Sequence, residues 1–182
     1  MSSLFVYHQS SPEQPHKVLS HAEDIASTLA EHGVTFERLQ AAIPLGPQPN
    51  GETVLSVYRE QLDELMTTRG YAAVDVISAE GDGPHIAALR ASFLDEHCHD
   101  EDETRFFVAG RGLLSLHIND FVYAVLCEKN DLMTSPAGIR RWFDIGEHPR
   151  VVAIRLFTSV QGQAVRFTGE TIASEFAQLD DL

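Results

Sequence analysis

HCHDEDETRFFVAGRG, residues 97–112, is the stretch whose reading decides the fold. It sets two imidazoles, His97 and His99, on alternate positions and brings a carboxylate, Glu103, shortly after them. In an extended strand alternate side chains share a face, so His97 and His99 point one way, and Glu103, of the same parity, joins them if the strand stays regular. Two neutral imidazoles and a carboxylate converging on a point make a site for a divalent first-row metal, with Fe(II) a candidate. The plainer reading is that His-x-His inside an acidic run is a solvated turn. Cys98, between the histidines, should face away from them.

From about residue 96 onward the chain has the texture of short strands. The runs 103–109, 112–118, 121–127, 139–145 and 150–157 are β-rich, and turn signals separate them at Gly110, Asn119-Asp120, Asn130-Asp131, Pro136, Gly138, Gly146 and Pro149. Regular short strands with such punctuation predict an antiparallel barrel or sandwich. Upstream, the periodicity predicts helices. Residues 20–33 carry an apolar stripe through Ala22, Ile25, Ala26 and Leu29, with Ser20 and Glu23 spaced as a capping box and Gly33 as the stop. The segment 41–52 reads as a loop. A second helix carries Val54, Tyr58, Leu62 and Leu65 and stops at Gly70; 71–78 reads as a strand, and 86–95 as a third helix. The tail, 171–179, reads as a short helix. The predicted class is mainly β with helices (α+β), the helical N-terminal half covering one face of a β-barrel in one domain.

Composition narrows the partners. With 182 residues, 43% of them hydrophobic, the chain is expected to be globular with a good core. A formal charge of −14 without a basic run argues against nucleic acid or an anionic membrane as partner. The start, MSSLFVYHQSS, lacks the basic and apolar regions of a signal peptide, and no apolar run approaches the roughly 18 residues of a membrane span. Cys98 and Cys127 read as buried free thiols of a reducing cytoplasm. His117, in LLSLHIND, reads as a structural histidine whose ring finds its own partners. Trp142 and Phe143 read as packing first and pocket wall second.

The motif His-x-His-x3-Glu-x6-Gly, ending at Gly110, resembles the first cupin motif. Beyond it VYH, HAEDIASTLAEHGV, MTTRGYAAVDVIS, LCEKNDL, SPAGIRRWFDIG, VAIRLF and FTGETIAS follow in order, and with them the chain resembles the acireductone dioxygenase family nearly end to end. The resemblance implies a cupin jelly-roll barrel in one domain over 1–182. Residues 1–95 would be mainly helical, 96–160 the metal-binding core, and 161–182 a tail with a short helix. It implies one Fe(II) or Ni(II) per chain, and a small-molecule acireductone substrate used with O2 in methionine salvage by a cytoplasmic, monomeric enzyme. Position by position it implies His97, His99 and Glu103 as metal ligands and Arg105 as the cation that steadies the deprotonated enediol. It makes Asp102 an acid near the metal strand, Arg155 a second pocket arginine, Phe93 and Phe143 pocket aromatics, and Glu96 a residue tied to metal loading.

Two places depart from the family pattern. The fourth ligand of the family is a histidine just before Trp-Phe-Asp, and here that position is Arg141. Arginine stays protonated and has no lone pair to give. At about 4 Å and an effective dielectric of about 20, each unit of like charge costs on the order of 4 kcal/mol, so a divalent ion would feel roughly twice that. Three arrangements are open at this point. Arg141 swings out, leaving two histidines and one glutamate; it folds in and pairs with Glu103, leaving no metal and no activity; or His148 moves in as a ligand. The second departure is TSVQGQAVR, residues 158–166, which replaces a family segment bordering the pocket. Together they keep open a second reading, a diverged cupin that binds a small anion without catalysis.

Overall fold

Two sheets share one strand in this protein, and the shared strand carries the motif just described. The computed structural model describes residues 1–40 and 43–182. The loop expectation over 41–52 falls partly on Ala41 and Ala42, which lie outside the described residues. In chain order the strands are β1 (Ser3–His8), β2 (Lys17–Leu19), β3 (Thr35–Arg38), β4 (Ala73–Glu80), β5 (His97–Cys98), β6 (Glu103–Ile118), β7 (Phe121–Glu128), β8 (Asp131–Ser135), β9 (Arg140–Asp144), β10 (Arg150–Phe157) and β11 (Arg166–Phe167). The helices are α1 (Ala22–Ala30), α2 (Gly51–Val57), α3 (Arg59–Arg69) and α4 (Pro84–Leu94).

The two expected strands on either side of Gly110 are one strand of 16 residues. Its first half, Glu103–Phe107, pairs antiparallel with β8 and β10; its second half, Arg111–Ile118, pairs with β7 and β9. Gly110 makes the passage possible. Its φ is +66°, and a Cβ there would stand 1.6 Å from the Arg150 carbonyl oxygen, so only glycine fits. One sheet is therefore ordered β3-β8-β6-β10-β4 and the other β11-β5-β9-β6-β7-β1-β2. Every pairing is antiparallel, as the turn signals predicted.

Alternation along β6 sorts its side chains. Phe107, Leu114 and Leu116 enter the core between the sheets with Val6, Phe36, Ile77, Met133, Phe143 and Ala153. Phe106 and Val108 face the other way, under Val54, Tyr58 and Leu62 of the helical layer. On the second sheet's outer face Leu113 and Trp142 are covered by Ala173, Phe176 and Leu179 of the tail. At roughly 25 cal/mol per Å² of apolar surface removed from water, these three layers supply the main driving force for closing the two sheets on each other.

Several local expectations change. α1 begins at Ala22 with His21 as its N-cap and no side-chain cap, so Ser20 and Glu23 form no capping box; Gly33 does turn left-handed, at φ +74°. The helix expected through Val54–Leu65 is broken at Tyr58, whose φ of −99° and ψ of 13° end α2 and start α3. Tyr58 is held there because its hydroxyl accepts from the Ile43 N–H and donates to the Ile43 carbonyl. Among the described residues the N-terminal part contributes four strands as well as four helices. The tail is two short 3₁₀ turns, Ile172–Glu175 and Leu179–Asp181, rather than a helix. No helix of the described residues is long and apolar enough to cross a membrane.

Candidate functional site

His97 and His99 do not sit on one regular strand with Glu103. β5 ends at Cys98, and His99 to Asp102 form a turn before β6 begins. That turn carries Glu103 from one sheet back toward His99 in the other, so the two meet by a fold in the chain and not by strand parity. His99 Nε2 lies 3.2 Å from Glu103 Oε2, and the two imidazole rings stand 5.6 Å apart at 89°. Both imidazoles are fully buried and both are fixed from behind. His97 Nδ1 bonds the Asp95 carbonyl at 2.7 Å, and His99 Nδ1 bonds the Ala164 carbonyl at 3.1 Å. A carbonyl accepts only, so each Nδ1 carries a proton, and the neutral form of either ring has its lone pair on Nε2. Burial lowers the His97 pKa to about 4, which keeps that ring neutral.

Glu103 is ringed by cations. Arg105 Nε donates to Oε1 at 2.7 Å, and Arg141 Nη1 stands 3.6 Å from Oε2. Burial alone would raise the Glu103 carboxyl, but the guanidiniums of Arg105, Arg141 and Arg155 outweigh it and hold it well below the usual carboxylate range. Arg105 stacks on Phe143, its guanidinium carbon 4.4 Å from the ring centre. Phe143 is brought down onto it by Gly112, where a Cβ would meet the Phe143 ring at 2.5 Å. Arg155 pairs across the β10–β6 ladder with Arg105. Its guanidinium is clamped by Asp75 on β4 at 2.8 and 2.6 Å and lies near Phe93 and Phe157. Phe93 and Phe143 meet edge to face at 5.9 Å. His97, His99, Glu103, Arg105, Arg155, Phe93 and Phe143 thus come together.

Arg141 points inward and reaches toward Glu103, as in the second of the three arrangements, without closing a hydrogen bond to it. β5 and β9 pair His97 opposite Arg141, and the side chain is completely buried, facing inward like Phe143. It is tied by Nε to the Ile139 carbonyl at 3.2 Å and by Nη2 to the Pro136 carbonyl at 3.1 Å, which leaves Nη1 toward Glu103. His148 is 77% exposed and 3.9 Å from Asp82, so it is no replacement. Asp102 is not in the cluster either. It is exposed, and its carboxylate caps the next turn by accepting from the Ala137 N–H at 2.8 Å. Cys98 faces away from the histidines, as its parity predicted, against Arg166.

Glu96, also buried, is turned to the outer face. It meets His117 Nδ1 at 2.6 Å and accepts from the Thr168 hydroxyl at 2.8 Å, while His117 Nε2 meets Gln9 at 3.0 Å. His117 is thus a satisfied histidine, but it has a partner cluster that its sequence neighbourhood did not reveal. The sequence reading also missed Asp75 and the carbonyls of Asp95 and Ala164. Asp75 had a signal, since it is a charge in an apolar strand, as Arg155 is, and the two strands pair. The carbonyls had none.

The donors fit a divalent ion by type and presentation. His99 Nε2 and Glu103 Oε2 are buried without a hydrogen-bond partner, which in a protein interior calls for a ligand or strain. The arrangement is less complete. Among the described residues no three His, Cys, Asp or Glu side chains are drawn together tightly enough to hold an ion as they stand. The corner facing His97 and Glu103 holds the Arg141 guanidinium, and loading an ion there requires that side chain to withdraw.

Comparison with known proteins finds matches along nearly the whole chain. The profile of the ARD/ARD′ family matches residues 4–164. The chain is 64% identical to an acireductone dioxygenase of Pseudomonas syringae pv. syringae (strain B728a) over 100% of both chains. It is 62% identical to one of Pseudomonas fluorescens (strain Pf0-1), again over 100% of both. Its fold is similar to that of an acireductone dioxygenase from Bacillus anthracis solved with a cadmium ion in its active centre. That match has a TM-score of 0.76 at 27% identity and covers 92% of this chain and 98% of the other.

Proposed function

Because the chain belongs to the ARD/ARD′ family of acireductone dioxygenases, we propose that it oxidises an acireductone, an enediol ketone bearing a methylthio group, with O2 and a bound divalent metal. His97, His99 and Glu103 would hold that metal. The observation that carries this reading is the pair of buried, partnerless acceptors, His99 Nε2 and Glu103 Oε2. Fe(II) or Ni(II), when bound, would supply a Lewis acid for the enediolate and redox chemistry for O2. With Fe(II) the expected products are the 2-oxo acid precursor of methionine and formate, which places the reaction in methionine salvage.

The chain's own groups do the rest. Arg105 spends Nε on Glu103 and keeps Nη1 buried without a partner. It therefore has a donor free for a substrate oxygen, aimed from a dry wall where its charge counts most. Arg155, held by Asp75, adds positive field without swinging in. Phe93 and Phe143 would form an apolar wall beside the Arg105 and Arg155 guanidiniums. The carbonyls of Asp95 and Ala164 keep both rings in the tautomer that offers Nε2. In the same reading the protein is a cytoplasmic monomer whose partners are the small molecule and O2.

Arg141 supports a second reading, a pocket that holds a small anion without metal. Its Nη1, like that of Arg105, is a buried donor with no partner. The deciding experiment measures metal content and O2 uptake with an acireductone for the wild-type protein and for Arg141→His. Metal retained and substrate turned over by the wild type support the enzyme. No metal and no turnover in the wild type, with both gained by at least about a hundredfold in Arg141→His, favour the anion pocket in the wild type and an otherwise intact site. No gain in either shows that the 158–166 segment has already altered the pocket.

A further inference from the structure

His97 and His99 look alike but are oriented by different means. The acceptor behind His97 is local, the Asp95 carbonyl, two residues away on the same segment. The acceptor behind His99 is the Ala164 carbonyl, sixty-five residues along the chain. Ala164 belongs to a strap that follows β10, the 3₁₀ turn Val160–Gln163 and its flanks. This strap is exposed, carries Val160 on its surface, and has little core of its own.

What holds the strap against the β5–β6 turn is Glu101. Its carboxylate accepts from the Ser159 N–H at 2.7 Å, from the Ser159 hydroxyl and from the Thr158 hydroxyl. The strap also fits around it, since a Cβ on Gly162 would meet Glu101 Oε2 at 2.5 Å. From that clasp two turn bonds lead to Ala164. The Gly162 N–H donates to the Ser159 carbonyl at 3.1 Å, and the Ala164 N–H to the Gln161 carbonyl at 3.1 Å. At the far end Arg166 and Phe167 pair with Cys98 and His97, and Thr168 bonds Glu96. The strap is thus fastened at both ends: Arg166 pairs with Cys98 two residues beyond Ala164, and on the other side the Glu101 clasp reaches Ala164 through the two turn bonds.

We propose that Glu101 is a positioning residue: by clasping Thr158 and Ser159 it sets the Ala164 carbonyl behind His99 Nδ1 and so aims His99 Nε2 into the site. The proposal rests on His99 being a metal donor only for its consequence in affinity. The aiming itself is a property of the metal-free protein. His97 is the internal control, because its acceptor does not pass through the strap. The segment TSVQGQAVR also gains a role. Ser159 supplies two of the three donors, and Gly162 leaves the room that the carboxylate fills.

The test uses the full chain with 15N-labelled histidine, metal-free, and the variants Glu101→Ala, Glu101→Gln and Gly162→Ala. Imidazole spectra of the wild type are expected to show both rings as the Nδ1–H tautomer. In Glu101→Ala the His99 ring should lose that pure tautomer and its Nδ1 proton should exchange faster, with His97 unchanged. Glu101→Gln, which keeps a carbonyl oxygen for the Ser159 N–H, should restore most of the His99 signature. Gly162→Ala should reproduce the Glu101→Ala signature from the strap's side. Ni(II) affinity by chelator competition should fall about tenfold in Glu101→Ala, at the low end of the effect of losing a ligand's outer partner. A His99 ring unchanged in Glu101→Ala overturns the proposal, and so does a change shared equally by His97, which would mean general loosening. Should the wild type retain no Ni(II), the proposed function is what fails, and the His99 spectrum still decides whether Glu101 aims that ring.

Discussion

Two buried acid–imidazole pairs, one on the outer face of the sheet that holds β9 and one between the two sheets, are built to opposite standards. On the outer face, Glu96 and His117 have every side-chain need met, with Thr168 on the carboxylate and Gln9 on the far ring nitrogen. On the inner face, Glu103 and His99 approach to 3.2 Å and still leave Oε2 and Nε2 without a hydrogen-bond partner, with two guanidinium nitrogens beside them in the same condition. A satisfied buried pair is cement, whereas an unsatisfied one is a socket. The polarity is the same in both places, and only the bookkeeping of donors and acceptors separates structure from function.

The comparison breaks most visibly at Glu103. Glu103→Gln leaves Arg105 and Arg141 buried without a counter-charge and should cost about 3–5 kcal/mol in urea unfolding of the metal-free protein. A cost below about 1 kcal/mol would mean that the two guanidiniums escape to water and that the socket is not rigid. Next comes pH. The His97 pKa is lowered from 6.5 to about 4. The unfolded chain therefore takes up a proton that the folded chain refuses between those values. Stability is full above about pH 6.5 and declines as pH falls toward about 4, by roughly 3 kcal/mol. His97→Gln should flatten that slope, and an unchanged slope would remove His97 as its source. The smallest effect belongs to the satisfied pair. Glu96→Gln keeps an acceptor for Thr168 and should cost about 1–2 kcal/mol. It should leave the inner-face His99 tautomer untouched, and a shifted His99 spectrum would show that the two faces are coupled.

The strands from 121 to 157 and the position of the core were legible because period-two alternation and turn residues are local signals. Gly110 was read as a turn and is a bend within one strand. Sequence marks a left-handed glycine but does not say whether the chain reverses or crosses between sheets there. The break at Tyr58 was hidden because it depends on a hydroxyl bonded to the distant Ile43 backbone. At the site, the residue types of the motif gathered His97, His99 and Glu103 and the family resemblance added Arg105 and Arg155, although the strand parity that first grouped the three ligands does not operate across the turn at 99–102. Asp102 misled because an acid beside a ligand can equally cap a turn. The direction of Arg141 was open in the sequence. It follows from two carbonyls, those of Pro136 and Ile139, that no pattern of side chains encodes.

One consequence follows from β6 serving both sheets. His97 and Arg141 arrive through one sheet, while Glu103, Arg105 and Arg155 arrive through the other, so the centre lies on a seam and belongs to neither half. A partial opening that frays either sheet near the bend at Gly110 dismantles the centre before the hydrophobic layers are exposed. Amide protons flanking the seam in β5, β9 and β10 should then exchange with solvent as one cooperative group, and anything bound at the centre would slow all of them together.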